Sequence, residues 1–112
     1  MKRKITAGEL SKILKEHERW CDTDENKGEK ADLSHADLKR IEAHLRLFIK
    51  ADLSYANLNY ADLSRAILSF AKLAKVKNLS INKLSEVKTL HEAELDPELM
   101  EQVKDKYPHF LE

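Results

Sequence analysis

Hydrophobic positions in the middle of the chain recur every five residues, which is the spacing of neither a helix nor a strand. In the stretch from Ala51, ADLSYANLNYADLSRAILSFAKL, an alanine opens each unit and a leucine or its equivalent stands two places later. Residues five apart lie about 140° from a common face on a helix, and on opposite faces of a strand. They share one direction only if the backbone turns once per unit. The pattern therefore predicts a coil of short extended segments joined by turns.

Each place in the five-residue unit has its own predicted role. The leucine and the alanine point into the coil, and the Asp or Asn between them faces outward, where it bonds the backbone of the next turn. The stretch 41–50 has the length of two units but loses the repeating Ala and Leu pattern. In phase with its neighbours, it puts Arg46 at an inward position, which is costly for an unpaired charge. Either this corner is distorted or the register slips there and recovers. The predicted inward column is Leu33, Leu38, Phe48, Leu53, Leu58, Leu63, Leu68 and Leu73.

These tandem A-[DN]-L-x-x units resemble the pentapeptide-repeat family. The units ADLSH, ADLKR, ADLSY, ANLNY, ADLSR, AILSF and AKLAK carry the resemblance. It implies a mainly β fold: a right-handed, quadrilateral parallel β-helix, a solenoid of about two to three coils here. An amphipathic helix is the alternative for a stretch rich in Ala and Leu, but the five-residue phase does not hold one apolar face beyond two turns.

Helical patterns flank the repeats. Thr6 and Glu9 form a capping box, Ser80 precedes a short apolar helical pattern, and Asp96 with Pro97 is a typical helix start. A stack of repeats requires such caps because its ends would otherwise expose core and strand edges. We therefore predict a capping helix and polar loop in 1–30, the repeats in 31–78, and an irregular last coil with a second capping helix in 79–112.

Composition narrows the function classes. The 112 residues include 20 basic and 20 acidic side chains, so net charge favours neither a nucleic-acid binder nor an acidic mimic. Cys21 has no second cysteine to pair with, as suits a reducing compartment. The basic start is not followed by a long apolar run, and no stretch approaches the roughly 18 apolar residues of a membrane span. These features predict a cytoplasmic protein without a membrane partner.

Candidate chemistry is sparse, and we predict no enzyme, catalytic residue, metal or cofactor. The histidines lack metal-ligand spacing, and most of the aspartates fall on different sides of the coil; His35 and Tyr55, being 20 residues apart, are expected to stack on successive coils. Two alternatives stay open around the loop 21–30. Its acids could bind a cation, although it lacks the EF-hand pattern, and Cys21 could react with His17 as its base.

The outward positions of one side of the coil are apolar and predict a docking surface. An apolar patch of this kind is usually buried by another part of the protein or used for binding, so we expect either a terminal helix of the chain or a partner to pack on it. We predict a non-catalytic protein-interaction or scaffold module, with an unknown protein or a second copy of the chain (a homodimer) as partner and no nucleic acid. Some pentapeptide-repeat proteins bind DNA gyrase as DNA mimics, but this alternative needs a long acidic rod. The candidate interface residues are Leu47, Ile49, Ile67, Phe70, Tyr55 and Tyr60.

Overall fold

The computed structural model describes residues 3–43 and 46–112 of the chain. Two strands, β1 and β2, pair in parallel, with Arg3 opposite Ala36 and Lys4 opposite Asp37. No helix in these two ranges is long and apolar enough to cross a membrane. The elements are β1 (Arg3–Lys4), α1 (Ala7–Asp22), β2 (Ala36–Asp37), α2 (Ile81–Leu84), α3 (Pro97–Lys106) and a 3-10 helix (Pro108–Leu111).

Between β1 and α3 the chain pairs with itself through isolated parallel bridges. Each bridge joins residues 20 apart, or 22 apart in the last layer, so the backbone repeatedly returns alongside itself. The bridged residues form four outward columns, one on each side of the repeats. They are Asp32, Asp52, Lys72 and Glu94 in the first column; Asp37, Asn57 and Lys77 in the second; Glu42 and Asp62 in the third; and Leu47, Ile67 and Thr89 in the fourth.

A turn with one left-handed residue closes each fully described unit of the repeats. In the first unit, the Ala36 N–H donates to Leu33 O at 3.1 Å, and His35 between them has a φ of 61°. Type II turns require a positive φ at this position, which costs a residue other than glycine about 1–2 kcal/mol. Hydrogen bonds to the next layer hold the turns, since the His35 N–H donates to Ser54 O at 2.8 Å. The same conformation occurs at Arg40, Lys50, Tyr55, Tyr60, Arg65, Phe70 and Lys75.

The expectation of a mainly β fold, a β-helical solenoid, is wrong. Helix accounts for 31% of the structure and strand, with the isolated bridges included, for only 14%, and the two regular strands are each two residues long. The turns explain the difference. A left-handed residue interrupts the extended backbone in each fully described unit, so a unit in the repeats generally offers one bridged residue and cannot build a ladder. The chain is therefore a stack of bridged turns with helices at both ends.

The core lies inside the stack of turns. Ala43 and Phe48 are each 1% exposed, and the bridges from Glu42 to Asp62 and from Leu47 to Ile67 keep 41–43 and 46–50 in phase with the next layer. Arg46 stays half-buried and reaches Glu18 of α1 at 3.7 Å. His44 lies outside the described residues. The inward column of Leu33, Leu38, Phe48, Leu53, Leu58, Leu63, Leu68 and Leu73 is no more than 3% exposed.

All three helices begin where the sequence predicts, and two of them have a side-chain cap. The capping box is present, because the Glu9 N–H donates to Thr6 Oγ1 at 3.1 Å and Glu9 Oε1 accepts the Thr6 N–H. Ser80 caps α2. Asp96 makes no side-chain cap for α3, because both its carboxylate oxygens accept the Lys75 N–H at 3.1 Å instead. That bond ties the start of α3 to a turn of the repeats.

Candidate interaction surface

The six residues predicted for the interface do not form one surface. Tyr60 is 69% exposed, Tyr55 49% and Phe70 46%, and these three are the exposed large hydrophobic side chains among the described residues. Leu47, Ile49 and Ile67 are half-buried. Tyr55 and Tyr60 lie in the turns on either side of the second column, whereas Phe70 lies in a turn beside the fourth.

Terminal segments contact both ends of the fourth column. At one end, the backbone of Ile49 lies beside the His17 ring of α1. At the other end, Phe110 O accepts the Thr89 hydroxyl at 3.3 Å and the neighbouring Leu90 N–H at 2.8 Å. The apolar side predicted from the sequence is therefore bordered by the chain's own helical ends.

Tyr55 is held by a ring stack. The His35 and Tyr55 rings are 4.7 Å apart and within 3° of parallel, as expected from their spacing of 20 residues. The Tyr55 N–H donates to Ala74 O at 3.0 Å, which holds the turn against the next layer. One face of the tyrosine ring is thus covered, and its edge and hydroxyl remain at the surface.

Tyr60 is held by a cation on the other side of the second column. The guanidinium carbon of Arg40 lies 5.4 Å from the centre of the Tyr60 ring, a cation–π arrangement. The turns carrying them are joined, since the Arg40 N–H donates to Asn59 O at 2.8 Å. Here too, one ring face is occupied within the chain.

An amide ladder stiffens the second column between these two turns. Asn57 is 5% exposed, and its Nδ2 donates to Asp37 Oδ1 at 3.2 Å. Its Oδ1 accepts the Asn78 Nδ2 at 2.9 Å and the Asn59 N–H at 3.1 Å. Because every polar group of the Asn57 side chain has a partner, the ladder stabilises this side instead of costing desolvation energy.

The Cys21–His17 pair has the wrong electrostatics for a thiolate nucleophile. Cys21 Sγ lies 3.7 Å from His17 Nε2. Burial raises the pKa of the Cys21 thiol, and the charges of Asp22 and Glu25 raise it further. Burial also lowers the pKa of His17. Both shifts favour neutral partners, whereas an activated cysteine needs a lowered thiol pKa.

The loop 21–30 packs by backbone and ion-pair contacts. Glu25 Oε2 binds Lys50 Nζ at 2.7 Å, and the Glu25 N–H donates to Trp20 O at 2.8 Å. Within residues 3–43 and 46–112, no group of three or more His, Cys, Asp or Glu side chains is placed to hold a metal ion. The cation alternative has no supporting geometry in this part of the chain.

The exposed tyrosines and Phe70 could be read from the sequence, but their separation could not. The helical ends contact the fourth side through His17 and Phe110, which no repeat pattern reveals. The basic residues around the second column were missed because charge was summed along the chain. Sorting it by the 20-residue offset would have brought Lys39, Arg40 and Lys77 to one side.

Comparison with known proteins identifies the repeats. A family model described as pentapeptide repeats matches residues 48–77, with eight copies. Neither the curated proteins nor the solved structures include a match to the chain. The matched segment contains the turns of Tyr55, Tyr60 and Phe70. Residues 48–77 of this chain are thus pentapeptide repeats.

Proposed function

We propose that the chain is a non-catalytic protein-interaction module whose partner docks on the outer surface of the repeats. The family indicates a non-enzymatic repeat protein. The observation that carries the proposal is the set of three exposed aromatic side chains, Tyr55, Tyr60 and Phe70, all held in turns of the matched segment. Tyrosine and other aromatic residues are enriched where binding energy concentrates in protein interfaces.

The backbone beneath these side chains supports such a role. Each of the three occupies the left-handed position of a turn, and for Tyr55 and Phe70 the N–H is bonded to the next layer, at 3.0 Å and 2.9 Å. Side chains on a fixed backbone lose less entropy when they bind, so more of their contact energy remains as affinity.

A capture experiment with matched variants tests the proposal. The tagged chain is used as bait in a lysate beside a triple variant with Tyr55→Ser, Tyr60→Ser and Phe70→Ser. The control is Arg65→Ser, because Arg65 occupies the same turn position on the same layer without an aromatic ring. We expect the triple variant to lose its partner at least about tenfold and the control to keep it.

Thermal unfolding of each bait shows that any loss reflects docking and not unfolding. A triple variant that stays folded and captures the same proteins at native levels would contradict the proposal. Light scattering over a range of concentrations tests a second copy of the chain as the partner. A homodimer would show twice the mass of one chain and would revert to one mass in the triple variant.

A further inference from the structure

One side of the repeats concentrates positive charge although the whole chain is neutral. The second column and the two turns that flank it, here called the basic side, carry five exposed cations and one acid. Pairing places them: Lys4 stands opposite Asp37, and Lys77 opposite Asn57. The members with charge are Lys4, Lys39, Arg40, Lys75, Lys77 and the acid Asp37.

The cations of the basic side form no ion pairs with described residues, although the Asp96 carboxylate at the start of α3 accepts the Lys75 N–H at 3.1 Å. Its one carboxylate, Asp37 Oδ1, accepts hydrogen bonds from the Asn57 amide at 3.2 Å and the Lys39 N–H at 3.3 Å. The adjoining first column, in contrast, contains three acids and one lysine: Asp32, Asp52, Glu94 and Lys72. Charge is therefore segregated between sides.

Two aromatic side chains stand among these cations. Tyr55 and Tyr60 lie in the turns on either side of the second column, exposed by 49% and 69%. Each has a ring contact within the chain, to His35 and to Arg40. One face of each ring is therefore occupied, and the hydroxyl groups and the surrounding ammonium and guanidinium groups are available to a partner.

We propose that the basic side binds an acidic segment of a partner protein. Carboxylates of the segment pair with Lys39, Arg40 and Lys77, and the Tyr60 hydroxyl hydrogen-bonds its backbone or its side chains. This inference rests on the proposed function and names the chemistry of the partner. Opposite charge attracts the segment, and the two tyrosines give it apolar contacts on either side of the second column.

The ring contacts favour a protein over a nucleic acid. Single-stranded nucleic acid binds by stacking its bases on free aromatic faces. On the basic side, His35 covers one face of Tyr55 at 4.7 Å, and Arg40 lies over Tyr60. A carboxylate partner uses the cations and hydroxyl groups and leaves these contacts in place.

The experiment is a titration of the isotopically labelled full chain, followed by NMR. The probe is a decaglutamate peptide, with decalysine as the charge control and a single-stranded deoxythymidine decamer as the nucleic-acid probe. The test variant combines Lys39→Glu and Lys77→Glu, both at exposed positions of the basic side. The matched control combines Lys12→Glu and Lys15→Glu, the same charge change on the exposed face of α1.

We expect decaglutamate to shift the amide signals around Tyr55, Asn57 and Tyr60, and decalysine to shift none of them. The test variant should weaken binding at least about tenfold and the control less than about twofold. Tyr60→Ala should weaken it by about threefold or more without unfolding the chain. Added salt should weaken it as well, since the contacts are between exposed charges.

Several results would overturn the inference. If decaglutamate shifts no amide signals of the chain, or only signals away from Tyr55, Asn57 and Tyr60, this side does not bind acidic segments. Equal losses of decaglutamate affinity in the test and control variants would show the same. Tighter binding of the deoxythymidine decamer at the same residues would replace the protein partner with a nucleic acid. A lysate partner that is lost with Phe70→Ser but kept by the test variant would leave the proposed function intact and remove only this inference. Absence of decaglutamate binding, together with native-level capture by the folded triple variant, would remove both the inference and the proposed function.

Discussion

His17 Nδ1 accepts the backbone N–H of Ala31 at 2.9 Å, and this bond joins helix α1 to the first unit of the repeats. The His17 ring is fully buried, and a nitrogen that accepts a hydrogen bond carries no proton. The neutral ring with its proton on Nε2 is therefore the form the fold requires. Nε2 faces Cys21 Sγ at 3.7 Å.

Acid should weaken the fold through His17. Burial lowers the His17 pKa below its ordinary 6.5, although the Ile49 backbone and Glu18 act in the opposite direction. As pH falls through 6.5, the unfolded chain gains a proton that the folded chain does not, so stability present above 6.5 is lost until the folded pKa is reached. The loss is at most about 1.4 kcal/mol per pH unit.

Urea unfolding at pH values between about 7.5 and 5.5 measures this dependence. His17→Gln keeps an acceptor for Ala31 and cannot titrate, so its stability should vary less with pH. His109→Gln, at an exposed position, is the control and should retain the native slope. Equal slopes for the native chain and His17→Gln would rule out His17 as the cause.

Gly28 is required by the packing of the loop on α1. Its φ is +78°, and a Cβ there would lie 2.3 Å from Glu16 O and 2.8 Å from Trp20 N. Gly28→Ala should therefore lower the free energy of unfolding by more than about 2 kcal/mol. Gly8→Ala is the control, since its nearest neighbour would be 4.0 Å away, and α1 should become slightly more stable. Thermal unfolding that ranks the two variants the other way would contradict this account.

The stability of variants at the left-handed turn positions should depend on whether the new residue tolerates a positive φ, and not on lost side-chain contacts. Arg65 is exposed and has a φ of 58°. Arg65→Val should cost about 1–2 kcal/mol, because a branched Cβ crowds this conformation, whereas Arg65→Gly should be nearly neutral. Lys72→Val, at an exposed bridged position, should be tolerated. Denaturant midpoints that are lowered equally by Arg65→Val and Arg65→Gly would show that the arginine side chain matters instead.

Phe48 should be the most sensitive position of the core. It is the one aromatic residue of the inward column and is 1% exposed. Phe48→Ala should destabilise the fold by about 3–5 kcal/mol by leaving a cavity, and Phe48→Leu should recover much of this. Phe70→Ala, at a position 46% exposed, should cost far less. Calorimetry that gives similar losses for both alanine variants would place Phe48 outside the core.

The repeat pattern in the sequence predicted how the chain pairs with itself, but it did not predict the fold class. The five-residue period predicted the inward leucines, and the resemblance to pentapeptide repeats implied the 20-residue offset and with it the His35–Tyr55 stack. It led to the wrong strand content, because residues such as Tyr55 adopt a left-handed turn that sequence propensity does not assign to tyrosine. Local signals worked where the partners are local, as with Thr6 and Glu9.

Contacts between distant parts of the chain could not be predicted. Asp96 has the residue type and position of a helix cap, but it accepts the Lys75 N–H, a choice that only the folded neighbourhood decides. The same holds for His17, whose partner Ala31 lies beyond a polar loop. The exposed tyrosines were found from the sequence because an outward position in a repeat is a local property.

The change of offset around α2 has a consequence for engineering the chain. Asn57 and Lys77 are paired 20 residues apart, whereas Ile67 and Thr89 are paired 22 apart, so the segment between Lys77 and Thr89 has absorbed two more residues without disturbing the bridges on either side. Because this segment accommodates added residues while the other layers stay in register, it is a suitable site for grafting foreign peptides. Loops inserted next to Asn82 would be displayed on a framework whose remaining contacts do not change.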